Sequence, residues 1–134
     1  MLEIRRLASA VTAMMNVLIL LAGLMGAAGV VLAAAAAHGE RTIRLDAAGY
    51  LLLLHACAVV AGVAALDHGL VSWPFGIAAL GAFVLGSALF AGDLSLRAFA
   101  GRRLFAMAAP SGGALLIAGW LLLAAAALAA TLRS

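Results

Sequence analysis

Charge is what this sequence has least of. Only 10% of its 134 residues are charged and 68% are hydrophobic, whereas soluble domains hold about 25% and 45–50%. That shortage excludes a water-soluble fold, which would have too few polar side chains to cover its surface. Lysine is absent, and all eight basic residues are arginine. They stand between apolar runs, not along one face as a nucleic-acid footprint requires. No nucleic-acid partner is expected; the bilayer and its headgroups are. A single cysteine, Cys57, rules out an intrachain disulfide and reads as a small buried apolar residue. The length left over after the apolar runs has no room for a soluble domain, so residues 1–134 form one integral membrane domain.

What is present is four long apolar runs, over about 13–37, 47–66, 73–98 and 110–131. Each reaches the roughly 20 residues that cross a bilayer core. The fold class expected is all-α, a bundle of four transmembrane helices. The first run opens like a secretory signal, with Arg5 and Arg6 before it and alanines at its end. It far exceeds the 7–15 apolar residues typical of such signals, and we read it as a retained helix. A polar stretch from His38 to Asp46 follows, and Asp67-His68-Gly69 marks a tight turn. Ser72 stands where a helix cap would, Trp73 where an interfacial anchor would, and Pro74 and Pro110 where a first turn tolerates proline. The third run is longer than a span needs, which implies tilt or protrusion.

Four spans place both termini on one side. Arg5, Arg6 and Arg133 lie on that termini side, and Arg41, Arg44, Arg97, Arg102 and Arg103 on the loop side. The positive-inside rule then makes the loop side cytoplasmic. The setting expected is a multi-pass protein of the bacterial inner membrane.

Leucine gains nothing by leaving lipid for another helix, so close approach at small residues drives association in membranes. Such residues recur at Gly29, Ala33 and Ala37 in the first run, at Ala58 and Gly62 in the second, and at Ala78, Ala82 and Gly86 in the third. Gly112 and Gly119 lie seven apart in the fourth. These predict the faces that meet.

Ionisable groups inside a membrane are functional candidates by default. Three stand out: His38 at the end of the first run, His55 within the second and Asp93 within the third. At 100° per residue, His55 falls within about 20° of Gly62, and Asp93 within about 20° of Gly86. Both therefore point inward, and together they could bond, relay a proton or hold a cation. The simpler alternatives are a His55 bonded to a neighbouring carbonyl, an Asp93 paired with Arg97 four residues on, and a His38 in the headgroup layer. Bis-histidine haem ligation needs rings at matching depth, which His38 and His55 lack. Catalytic zinc needs three protein ligands, and no such spacing occurs. No cofactor or metal is expected, and no nucleophile with a supporting base is evident, so catalysis is not expected. Asp67 and His68 sit in a turn and read as solvated, and Ser111-Gly112-Gly113 as a helix start.

Four elements in order bear a family likeness. They are Ala36-Ala37-His38-Gly39; His55-Ala56 within residues 51–60; Leu89-Phe90-Ala91-Gly92-Asp93-Leu94-Ser95-Leu96; and Ala109-Pro110-Ser111-Gly112-Gly113 with Ala118-Gly119-Trp120-Leu121-Leu122-Leu123. Over most of its length the chain resembles the small membrane proteins grouped as domain of unknown function 423. The resemblance implies four helices and no assigned activity. Here Leu54 stands where that family has tyrosine and Asp93 where it usually has serine, and the segment between His38 and His55 is shorter than is usual there. The function expected is a structural or interaction role, as an accessory subunit of a membrane complex or a homo-oligomer. The alternative is an oligomeric proton or small-cation transporter or channel using His55 and Asp93.

Overall fold

A computed structural model of the chain describes residues 1–38 and 44–133. Glu40 and Arg41 of the polar stretch, and Gly39 of the first family element, lie outside the described residues. The described residues form four helices and no strand: α1 (Leu2–His38), α2 (Leu45–Asp67), α3 (Trp73–Ala100) and α4 (Ala108–Thr131). All four are long and apolar enough to cross a membrane. The protein is an all-α integral membrane protein.

Helix α1 begins well before the apolar run that announced it. Leu2 to Thr12 mixes good helix formers with arginines, and hydropathy does not register such a segment. Two hydroxyls bond back along the helix, Ser9 to the Arg6 carbonyl at 2.8 Å and Thr12 to the Ala8 carbonyl at 3.0 Å. The 37 residues of α1 make it about 55 Å long at 1.5 Å per residue, beyond the roughly 30 Å hydrocarbon core. Residues 2–13 are exposed throughout.

Consecutive helices pack antiparallel, α1 on α2, α2 on α3 and α3 on α4, while α1 touches α3 only briefly. Burial follows from this order. In the most apolar stretch of each helix, 39% of residues are buried in α2 and in α3, against 22% in α1 and 17% in α4. The inner pair is α2 and α3; the outer pair faces lipid.

Glycines set the two hairpins. A side chain on Gly29 would lie 2.9 Å from the Gly49 carbonyl oxygen, and one on Gly49 would lie 2.9 Å from that of Gly29. Gly86 and Gly112 oppose each other in the same way between α3 and α4, at 2.8 and 2.7 Å. Backbone thus meets backbone in both hairpins, the contact that small residues permit in lipid. Gly62 instead receives the Leu80 side chain, and Gly119 the Phe83 ring. Two members of the expected stripes, Ala37 and Ala78, are exposed. Cys57 is exposed as well, not buried as its apolar neighbours suggested. In an apolar chain the lipid-facing surface is also apolar, so composition does not mark the inside.

The α2–α3 turn is a Schellman motif. The Leu70 amide bonds to the Ala65 carbonyl at 2.9 Å, the Gly69 amide to that of Leu66 at 3.1 Å, and Gly69 takes φ 71°, where glycine is favoured. Ser72 occupies the N-cap position of α3, but its side chain makes no cap bond. Its amide donates to the Ala126 carbonyl of α4 at 2.9 Å, which pins the start of α3 to the last turns of α4.

Candidate functional site

His55 sits near the middle of α2, roughly 15 Å from Leu45 and 18 Å from Asp67 along the axis. Only 2% of it is exposed. Its Nδ1 donates to the Leu51 carbonyl at 2.8 Å. Its Nε2 accepts from the indole N–H of Trp120 at 3.2 Å. Because Nε2 is an acceptor, the ring carries its proton on Nδ1. Phe83 of α3 completes the cluster, its ring centroid 5.2 Å from that of His55 and 4.9 Å from that of Trp120. Helices α2 and α4 do not pack directly, so this aromatic group bridges them across α3. Ser87, one turn beyond Phe83, is buried with its hydroxyl unpartnered.

Asp93 is fully buried on α3. One carboxylate oxygen pairs with Arg97. The other accepts from the Leu104 amide at 2.9 Å. Leu104 belongs to the segment joining α3 to α4, so the carboxylate holds that connection against the end of α3. Gly101, at φ 65°, turns the chain back toward it. Asp93 thus serves a loop, and the ion pair neutralises a charge that would be costly if buried alone.

The structure does not bring His55 and Asp93 together. Phe83, beside His55, is about 15 Å along α3 from Asp93, and each polar group is closed on its own partners. The angular calculation placed both inward, and both are buried, but they serve different neighbours at different depths. His38 is exposed, and its Nδ1 donates to the Ala34 carbonyl at 3.0 Å, a bond at the helix end. Among the described residues, no three His, Cys, Asp or Glu side chains lie close enough to hold a metal ion. Sequence reasoning missed Trp120 and Leu104 as partners. The signal that could have found Trp120 is chemical: an indole donor deep in a helix needs an acceptor, and His55 is the acceptor nearest its depth.

A family model described as protein of unknown function (DUF423) matches residues 32–113, a segment that holds His55, Asp93 and three of the four glycines at the hairpin contacts. No curated protein and no solved structure matches.

Proposed function

The chain belongs to the DUF423 family of unknown function, and from that premise we propose that it is a structural or interaction component of a membrane complex. It acts without catalysis, as an accessory subunit or a homo-oligomer. One observation carries this reading: the two outer helices are largely bare, with 22% and 17% of their most apolar stretches buried, while His55 and Asp93 are bonded to partners within the bundle. Helix surface is what such a protein offers to others, and helix packing in membranes needs no more than close-fitting faces. The setting we infer is the inner membrane of a bacterium, with the arginine-rich loop side facing the cytoplasm.

The rival reading is a proton or small-cation path past His55 and Asp93. It requires a continuous polar route, and the hydrogen bonds of the two residues point to different neighbours.

Photo-crosslinking in cells tests the proposal, with the probe placed at Leu121 and Leu128 on the exposed face of α4. Protein adducts of defined mass at these positions are expected. Lipid adducts alone, with a monodisperse monomer in nanodiscs, would sink the idea. Flux measurements in liposomes address the rival: unchanged proton leak in His55→Ala and Asp93→Ala is the expected result.

A further inference from the structure

A groove of about 500 Å³ runs between α1 and α3 on the lipid-facing surface. Leu21 and Leu32 mark its two ends on α1, Val84 and Ser95 its two ends on α3, and Leu52 of α2 contributes to its floor. From Leu21 to Leu32, and from Val84 to Ser95, the rise is about 16 Å. Half of the hydrocarbon core is about 15 Å. The groove therefore has the length of one leaflet. It ends roughly 8–9 Å below the loop-side ends of both helices, with its Ser95 end toward the loop side. Its single hydroxyl, Ser95, stands at the headgroup end.

Helices α1 and α3 both pack on α2 and touch each other briefly. The slot between them is therefore narrower than the 10–12 Å of a helix with its side chains, and suits a hydrocarbon chain. On the loop side the described residues carry Arg44, Arg97, Arg102 and Arg103 against two acids. Asp46 faces Arg44 at 3.7 Å, and Asp93 pairs with Arg97. The surface therefore keeps a positive excess, carried by the exposed Arg102 and Arg103, and cations near a headgroup layer attract anionic lipid.

We propose that the α1–α3 groove is a binding site for one acyl chain of an anionic phospholipid, whose headgroup lies in the arginine-rich layer on the loop side. This goes beyond the interaction role above and does not depend on it.

Native mass spectrometry of the full chain, released from detergent with equal amounts of phosphatidylglycerol and phosphatidylcholine of the same chains, tests the site. One retained phosphatidylglycerol is expected in preference to phosphatidylcholine. Gly92 lines the groove and a Cβ added there meets nothing within 4 Å, so Gly92→Phe is the substitution chosen to fill it. It should lower lipid retention about tenfold or more, the equivalent of about 1.4 kcal/mol. Gly23 is equally open and lies outside the groove, so Gly23→Phe should leave retention unchanged. Ala28→Phe, on the α1 wall, serves if Gly92→Phe does not fold. Arg102→Gln with Arg103→Gln should abolish the preference between headgroups. Equal retention of both lipids by the natural chain, or unchanged retention after the groove is filled, overturns the proposal. So does a dimer that Gly92→Phe dissociates, because a second copy would then cover the groove.

Discussion

A histidine in the bilayer interior is costly while its ring nitrogens lack partners. In His55 the Leu51 carbonyl and the Trp120 indole meet both requirements. Interhelical hydrogen bonds in membranes contribute modestly, about 0.6 kcal/mol on average and up to about 1.7. Trp120→Phe removes the donor and keeps most of the ring stack, so it should destabilise the fold by about 0.5–1.5 kcal/mol. In the His55→Ala background the same change should cost less, because the bond is already gone; equal costs in a double-mutant unfolding cycle would mean that the two residues are uncoupled. Asp93 is the higher-stakes position. Asp93→Ala leaves the Arg97 guanidinium and the Leu104 amide without their acceptor, and stranding a buried charge costs about 3–5 kcal/mol. Arg97 is partly exposed, with 27% of its side chain accessible, so a loss nearer 2 kcal/mol is expected. Asp93→Asn retains the amide bond and should lose less; the denaturation midpoints of the two variants decide. These positions were legible in the sequence because an ionisable residue is conspicuous among leucines and alanines. Their partners were not. Trp120 is a long way along the chain from His55, and an indole in an apolar run also fits a lipid-facing anchor.

At the level of helices, the two hairpins rest on reciprocal glycine contacts, Gly29 with Gly49 and Gly86 with Gly112. A side chain at any of the four would press on backbone, which cannot rotate aside. Gly86→Leu and Gly49→Leu should therefore part their helices and cost about 2 kcal/mol or more, in the range of overpacked sites. Gly113→Leu adds its side chain into open space, and Leu85, 61% exposed, should tolerate Leu85→Ala. Thermal unfolding in detergent that ranks Gly113→Leu or Leu85→Ala as damaging as Gly86→Leu would contradict this account. Spacing revealed Gly29, Gly86 and Gly112, because each recurs with small residues along its own helix. It could not reveal Gly49, which has leucines four residues to either side, Leu45 and Leu53. The small surface that Gly49 needs belongs to α1, where Ala33 and Gly29 receive it. Ala37 and Ala78 show the converse: each stands eight residues from the contact glycine of its helix, about 80° around the axis, so a four-residue row leaves the contact face.

For the molecule as a whole, four antiparallel helices place both connections, α1 to α2 and α3 to α4, opposite the termini. Orientation depends on arginine alone, since lysine is absent. By sequence the loop side carries five arginines and the termini side three, and the bias in basic residues near the span ends sets which side faces the cytoplasm. Two exposed apolar positions report on the sides without altering that count, Phe105 in the α3–α4 connection and Leu132 beyond α4. The natural Cys57 lies in the middle of α2 and faces lipid, so a membrane-impermeant thiol reagent should not reach it. In intact cells such a reagent should label Leu132→Cys and spare Phe105→Cys; full labelling of both would mean that α4 does not cross the membrane. Converting Arg102 and Arg103 to glutamine lowers the loop-side count from five to three, equal to the termini side. With the bias removed, orientation should become mixed, and each reporter cysteine should label to a comparable partial extent. If the protein still inserts in a single orientation, something other than arginine count governs its topology, and the long, arginine-bearing start of α1 becomes the element to examine.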